Sequence, residues 1–207
     1  MKHLMAPLTL HQKNSKDYQQ AIAMYYDCLK IFPKSAAVHY EIAQIYRAQN
    51  NFKEAIAYIL KSIKFDKNNI EYRYFLSQLY DEIGDYESQI IQLQYITTLQ
   101  PQNYQLYFEI ANIYYNYSQY TKAIQVLDNF ESKIGSTEDI LQAKFTVYKS
   151  YDVPKAISTI SILKQKYPAK LEYSMQLAQI LIQNKEFANA LSIYNQLIVN
   201  QSNTSEI

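Results

Sequence analysis

Few side chains in the sequence are of the types that catalyse reactions or bind metals. It contains three histidines and one cysteine in 207 residues. A catalytic histidine needs a nucleophile or an acidic group held beside it, and a thiolate metal site needs several cysteines. His3 and His11 lie near the start of the chain, while His39 and Cys28 fall at positions that packing explains. We therefore expect no catalytic residue, no metal site and a buried, unreactive Cys28.

The acidic residues and the glycines do not form a recognisable site either. Asp81 and Glu82 are adjacent, and adjacent residues of a helix point about 100° apart, so their carboxylates are poorly placed to act together. The two glycines, Gly84 and Gly135, stand alone, whereas a phosphate-binding loop needs several glycines at fixed spacing. We expect no enzymatic activity and no cofactor.

The composition indicates a folded, helical chain that does not bind nucleic acid and does not span a membrane. Hydrophobic residues make up 48% and charged residues 19%, as in folded proteins, and the scarcity of glycine argues against hairpin-rich β folds. The 20 basic and 19 acidic side chains give a net charge of +1, whereas proteins that bind nucleic acid usually carry a basic surplus. No stretch approaches the roughly 18 apolar residues that span a bilayer. We expect no nucleic-acid partner and no transmembrane segment.

An aromatic residue followed three positions later by alanine recurs along most of the chain. Counting degenerate copies, the pattern occurs at Tyr18–Ala21, Phe52–Ala55, Tyr86–Gln89, Tyr120–Ala123, Val153–Ala156 and Phe187–Ala190. The spacing is 34 residues, except that the fifth copy comes one residue early. The sequence therefore divides into repeats at about 2–35, 36–69, 70–103, 104–137, 138–170 and 171–204.

Each repeat predicts two helices joined by a turn. In the second repeat Ile42, Ala43 and Tyr46 form one apolar stripe of a helix, and a second stripe follows in the same repeat. Residues that tolerate left-handed or capping conformations separate the two helices: Asn50–Asn51, Gly84–Asp85 and Ser118–Gln119. Prolines separate successive repeats at Pro33, Pro101 and Pro168.

A helical hairpin of this length resembles the tetratricopeptide repeat. The small residues of that family correspond to Ala43, Ala111 and Ala178 in first helices and to Ala21, Ala55, Ala123, Ala156 and Ala190 in second helices. The resemblance implies an all-α, right-handed solenoid of about six 34-residue helix–turn–helix repeats, forming one domain over residues 1–207. The fifth repeat fits least well, because Lys144 interrupts the apolar stripe of its first helix.

In this family the first helices line a concave groove, and the resemblance implies which side chains lie there. The expected peptide-binding residues are Tyr40, Gln44, Arg47, Tyr74, Gln78, Asp81, Phe108, Asn112, Tyr115 and Gln179. Several pair an aromatic ring with an amide four residues later, on the same face of the helix. Rings can bury apolar side chains, and carboxamides can bind a peptide backbone. The alternative is that these side chains pack between repeats, but Tyr40, Tyr74, Phe108 and Tyr115 fall off the apolar stripe.

These residues predict a non-catalytic protein–protein interaction scaffold that binds a peptide segment or a partner helix in the groove. Several acidic residues lie near the groove, namely Glu41, Glu71, Asp81, Glu82, Glu109 and Glu172, and they favour a neutral to basic partner. The Lys/Asn/Arg clamp with which some family members bind the C-terminal carboxylates of chaperones has no counterpart here, so that specialisation is not expected.

Two other interpretations stay open. The chain could be the accessory tetratricopeptide region of a larger envelope complex, secretion complex or enzyme, or a pentatricopeptide-like RNA binder, although an RNA binder requires a basic groove. The run Lys122–Tyr148 resembles long tetratricopeptide proteins of bacterial cell envelopes. That resemblance implies a bacterial periplasm or cell envelope if an N-terminal signal is missing, with the cytoplasm as the alternative. Because no polar capping helix follows Leu197, we expect a fragment of a longer protein or a partner at that end.

Overall fold

The structure, a computed structural model, describes the backbone over residues 15–204 and the side chains over residues 17–199. Within that range the chain forms eleven α-helices and no strand. They are α1 (Ser15–Ile31), α2 (Ala36–Ala48), α3 (Phe52–Phe65), α4 (Ile70–Glu82), α5 (Tyr86–Leu99), α6 (Gln105–Asn116), α7 (Tyr120–Ile134), α8 (Glu138–Lys149), α9 (Val153–Lys166), α10 (Leu171–Gln183) and α11 (Phe187–Thr204). The all-α prediction is confirmed.

The chain divides after Asn103 into two compact units. Unit 1 contains α1 to α5, and unit 2 contains α6 to α11. The division coincides with the predicted boundary between the third and fourth repeats. The single domain over 1–207 and the other repeat boundaries stay predictions. His3, His11 and the first helix of the repeat at 2–35 lie outside the described residues.

Within each unit, consecutive helices pack as stacked hairpins. In unit 1, α2 packs on α3 and α4 on α5, while α3 also contacts α4 of the next hairpin. In unit 2, the hairpins are α6–α7, α8–α9 and α10–α11, joined by contacts of α7 with α8 and of α9 with α10. We call α2, α4, α6, α8 and α10 the first helices of their hairpins. Each unit is an all-α solenoid of helical hairpins.

The turn inside each hairpin has a local cause in the sequence. A residue with positive φ ends the first helix in four hairpins, and these residues are Asn50 (56°), Gly84 (74°), Ser118 (57°) and Lys185 (65°). The left-handed conformation allows the next amide to bond back into the helix, as Asp85 N does to the carbonyl oxygen of Tyr80 at 2.9 Å. Asn51 and Asp85 then cap the second helices with their side chains, whereas Gln119 makes no such bond. The three predicted turns are confirmed.

The small residues of the repeat pattern lie where helices approach most closely. Ala43, Ala55, Ala123, Ala156 and Ala178 have no exposed surface, and each belongs to the hydrophobic core of its own unit. An alanine at such a position lets two helix backbones come together without leaving a void.

His39 and Cys28 are the histidine and the cysteine that the structure describes, and both lie in helices where neighbouring residues cover at least part of the side chain. His39 is buried, its ring stacks on Phe65, and its Nε2 donates to the carbonyl oxygen of Pro33 at 3.2 Å. Burial lowers the pKa of this imidazole. Cys28 is half-buried, so the expectation of a buried side chain is wrong.

Lys144 does not interrupt α8, because α7 neutralises its charge. Its Nζ lies 2.6 Å from Oδ1 of Asp128 and also pairs with Oε2 of Glu131. Burial on its own would lower the pKa of Lys144, but the hydrogen bonds to the two carboxylates outweigh burial and raise it. The lysine is therefore charged although its side chain is only 10% exposed.

Candidate functional site

An open cavity of about 490 Å³ lies beside α2 and α4 in unit 1, and we call it the unit-1 cavity. Its lining consists of Gln44, Arg47, Ala48, Asn50, Phe52, Phe75 and Glu82. Gln44 and Arg47 are two of the predicted binding residues. Gln44 is half-buried, and its carboxamide makes no hydrogen bond to another described residue. A carboxamide in this state can still donate to and accept from a peptide backbone.

Arg47 is the centre of the polar network at the unit-1 cavity. Its Nε and Nη2 both donate to Oε1 of Glu82, at 2.8 and 2.5 Å, and its Nη1 donates to Oε1 of Gln78 at 3.0 Å. The guanidinium carbon lies 5.3 Å from the centroid of the Phe75 ring. The predicted Asp81 is exposed, and the ion pair is formed by the next residue, Glu82, which follows Gln78 by one helical turn.

Tyr40 packs between hairpins as well as facing the surface. Its ring centroid lies 4.9 Å from that of Tyr72 and 5.1 Å from that of Phe75, and its hydroxyl donates to Oε1 of Glu71 at 3.2 Å. Burial first, and the Glu71 carboxylate second, raise the pKa of Tyr40. The expectation that this ring stands off the packing surface is wrong, because α4 covers it. Tyr74 is half-buried on α4 and does not line the unit-1 cavity.

A second cavity, of about 230 Å³, lies among α6, α7 and α8 in unit 2, and we call it the unit-2 cavity. Its lining consists of Phe108, Ala111, Asn112, Tyr115, Leu127, Ala143, Thr146 and Val147. Phe108, Asn112 and Tyr115, which the repeat register predicted together, thus surround one cavity. Gln179, predicted on the same face, is exposed on α10 and does not line it.

The two rings of the unit-2 cavity are held by packing. Phe108 meets Phe130 edge-on with 5.5 Å between the ring centroids. The ring centroids of Tyr115 and Tyr120 are 5.7 Å apart, and the two rings are tilted by 56° to each other. The Tyr115 hydroxyl is hydrogen-bonded to Oγ of Ser150 at 3.1 Å. Both rings are half-buried, so the expectation that they lie off the packing surface is wrong for them also.

The floor and rim of the unit-2 cavity differ in polarity. Ala111, Leu127 and Val147 form a buried apolar floor. At the rim, Asn112 is exposed and its carboxamide makes no hydrogen bond within the part of the chain that the structure describes. Thr146, on α8, is also exposed, and its hydroxyl donates to the carbonyl oxygen of Gln142 at 3.0 Å.

The expected binding residues did not include those that complete each cavity from the neighbouring hairpin, although Glu82 was named among the acidic residues near the groove. Glu82 could have been found, because it lies one helical turn after Gln78 and therefore on the same face. Ala143 and Thr146 belong to the fifth repeat, where the charged Lys144 obscured the apolar stripe and so the register of the helix.

The described part of the chain has neither a group of metal-binding side chains nor a membrane-spanning helix. Among the side chains of residues 17–199, no group of three or more histidine, cysteine, aspartate or glutamate residues could bind a metal ion. Over the same range, no helix combines the length and the apolar character that crossing a bilayer requires.

Comparison with known proteins matches one segment of the chain to a repeat family. Residues 14–88 match the family model described as tetratricopeptide repeat. A curated human protein, general transcription factor 3C polypeptide 3, is 24% identical over a region that covers 74% of this chain and 18% of that protein. The chain therefore spans less than a fifth of the length of the curated relative it matches.

Solved structures share the fold at low identity. A chain in the structure of Naa15/Naa10 bound to HypK-THB is 19% identical with a TM-score of 0.72, covering 90% of this chain and 29% of that one. MamA from Desulfovibrio magneticus RS-1 is 16% identical with a TM-score of 0.52, covering 82% and 96%. YrrB, a tetratricopeptide-repeat protein with an unusual peptide-binding site, is 12% identical with a TM-score of 0.52, covering 86% and 92%.

The matched segment ends at residue 88, but the pattern that defines it continues. Beyond that point the hairpins of unit 2 keep the same left-handed turns, at Ser118 and Lys185, and the same buried alanines, at Ala123, Ala156 and Ala178. Because these features recur to the last described hairpin, the helical-hairpin pattern of the segment that matches the tetratricopeptide repeat continues beyond residue 88.

Proposed function

We propose that the chain is a non-catalytic scaffold that binds a peptide segment or a helix of a partner protein through its first helices. Tetratricopeptide-repeat proteins in general serve as scaffolds for protein–protein interaction, with protein or peptide partners. The observation that carries the proposal is that first-helix residues of the same repeat register line an open cavity in each unit. The peptide-binding site of YrrB, which has the same fold, supports a peptide as the class of ligand.

The charges on α2 and α4 favour a neutral to basic partner in unit 1. Four acidic residues lie on these two helices, namely Glu41, Glu71, Asp81 and Glu82. Two arginines oppose them. Arg47 is already paired with Glu82, and Arg73 donates to Gln92 and lies 3.7 Å from the centroid of the Tyr95 ring, both on α5. A basic segment would therefore gain favourable electrostatics, and an acidic one would be repelled.

Peptide selection against the 207-residue chain tests the proposal. Peptides recovered from a random displayed library should bind the chain and be richer in basic than in acidic residues. Ala48→Leu extends a side chain into the unit-1 cavity and Ala143→Leu into the unit-2 cavity. At least one of the two should weaken the selected peptides about tenfold or more. Ala37→Leu, an exposed substitution on α2, is the matched control and should leave binding unchanged.

The same measurement can contradict the proposal. Two results would exclude the first helices as the binding surface. Either no peptide binds above background, or both cavity variants bind the selected peptides as tightly as the parent chain does. Salt-dependent binding of single-stranded RNA to the chain would instead favour the RNA-binding alternative.

A further inference from the structure

The unit-2 cavity has the size of one large side chain. Its volume is about 230 Å³. An apolar cavity of about 150 Å³ inside a protein can hold a benzene molecule. The space exists because positions 111 and 143 are both alanine, and longer side chains there would occupy it. A group the size of a leucine, methionine or phenylalanine side chain therefore fits.

The lining of this cavity carries no charge at neutral pH. It has no acidic or basic residue, and its one phenol, Tyr115, is hydrogen-bonded to Ser150. The nearest charge along α8 is Lys144, whose ammonium is held by Asp128 and Glu131 on α7. A charged side chain that entered the cavity would lose its water without gaining an opposite charge, whereas an apolar one would be stabilised by burial.

The rim supplies hydrogen bonds for the backbone of such a residue. Asn112 is exposed at the edge of the cavity, and its amide group and oxygen have no partner among the described residues. One carboxamide can accept from a backbone N–H and donate to a backbone carbonyl, which holds a peptide in a fixed register.

We infer that the unit-2 cavity is an anchor pocket for one large, uncharged apolar side chain of the partner, with Asn112 bound to the adjoining backbone. The inference rests on the proposed function and deepens it, because it names the residue type that unit 2 recognises. The unit-1 cavity, with Arg47 and Glu82 in its lining, presents a polar surface instead.

Blocked single amino acids are suitable probes, because they carry one side chain and one short piece of backbone. We would titrate N-acetyl-phenylalaninamide and N-acetyl-leucinamide at millimolar concentrations into the full chain with ¹³C-labelled alanine and valine methyl groups. The methyl signals of Ala111, Ala143 and Val147 should shift and saturate. N-acetyl-lysinamide and N-acetyl-alaninamide should bind about tenfold more weakly or worse, because the first is charged and the second leaves the cavity unfilled.

Substitutions in the two cavities test whether the methyl shifts come from binding in the unit-2 cavity. Ala143→Leu should abolish the shifts at Ala111 and Val147, and Ala48→Leu, which makes the same change at the unit-1 cavity, should leave them intact. Asn112→Ala should weaken the probes severalfold. If Ala143→Leu fails to fold, as judged by circular dichroism, Thr146→Leu at the exposed rim serves the same purpose.

The outcomes separate the inference from the proposed function. Absence of saturable shifts at these methyl groups, equal affinity for the lysine probe, or undiminished shifts in the folded blocking variant would overturn the anchor pocket. If selected peptides still bind and only Ala48→Leu weakens them, the pocket is wrong while the proposed function stands. If the probes bind but no peptide does, the proposed function fails, and the assignment of the pocket to a peptide anchor fails with it.

Discussion

Replacement of Lys144 by methionine should destabilise unit 2 through the loss of a buried charge pair. Methionine keeps an unbranched apolar stem of similar length and removes only the ammonium group, which pairs with Asp128 and Glu131. The variant therefore isolates the electrostatic contribution from the packing of the side chain. Lys144→Ala removes the stem as well and should cost more, because it also opens a cavity.

The loss of stability in Lys144→Met depends on how exposed the two remaining carboxylates are. Removal of one member of a buried ion pair commonly costs about 3–5 kcal/mol, because the other member is left buried without a partner. Here the partners can recover water, since the side chain of Asp128 is 54% exposed and that of Glu131 is 27% exposed. We therefore expect a smaller loss for Lys144→Met, about 1–3 kcal/mol at neutral pH.

The pH dependence of this loss has a defined sign. Burial raises the pKa of Glu131, but the hydrogen bonds from Lys144 and Ser136 outweigh burial and bring the pKa below its ordinary value of 4.5. A depressed carboxyl pKa stabilises the folded state above that ordinary value, and the stabilisation is lost as the pH falls through the folded pKa. The raised pKa of Lys144 contributes fully below 10.5 and is lost only at strongly alkaline pH. The difference between the parent chain and Lys144→Met should therefore shrink on acidification.

Urea unfolding followed by circular dichroism, at pH 7 and at a pH well below 4.5, measures this difference. Hydrogen exchange of the α7 and α8 amides localises it, since repeat proteins open in parts. Lys149→Met is the matched control, because Lys149 is exposed on the same helix and lies 5.9 Å from the Phe145 ring; we expect it to cost at most about 1 kcal/mol. Equal midpoints for the two variants at pH 7, or a cost for Lys144→Met that does not change with pH, would refute the reasoning.

Three further predictions test the local structure. Asp85→Ala removes the side chain that caps α5 and should lower the free energy of unfolding, measured in urea, by about 1 kcal/mol. Gln119→Ala lies at a helix start without a side-chain cap and should change that free energy by only about a few tenths of a kcal/mol. Similar losses for both variants would contradict the capping account. Ala123→Leu should overpack the fully buried helix contact and cost about 1–3 kcal/mol, so an unchanged thermal midpoint would show that the repeat register is wrong. The hydrogen bond with Tyr26 raises the pKa of Tyr46 to about 12, so the difference between the ultraviolet titrations of the parent chain and of Tyr46→Phe should be a late phenolate transition. The stability linked to this hydroxyl is present below pH 10 and is lost as the pH rises through about 12, and a difference transition centred near 10.0 would argue against the hydrogen bond.

The candidate sites were predictable in part. The 34-residue register brought Phe108, Asn112 and Tyr115 to one cavity, because residues three or four apart on a helix share a face. It did not separate binding from packing, and Tyr40 shows why. Whether a ring at that position is exposed depends on how closely the next hairpin approaches, and α4 covers it. Periodicity within one helix contains no information on that distance.

The sequence by itself determined the helices, their order and the places where they begin. Phe52, Tyr86 and Tyr120 each start a second helix, directly after the predicted turn residues. These boundaries depend on left-handed conformations and on side-chain caps, which involve residues only a few positions apart. Interactions of such short range leave a visible pattern in the sequence.

Only the tertiary structure decided which polar side chains meet. Arg47 pairs with Glu82 of the next hairpin and not with Asp81, and Lys144 is neutralised by two carboxylates on α7 instead of disrupting α8. These pairs join residues on different helices, so they depend on helix packing and side-chain rotamers, which are set when the hairpins stack. For that reason a lysine that looked like a defect in the repeat pattern is part of the folded unit.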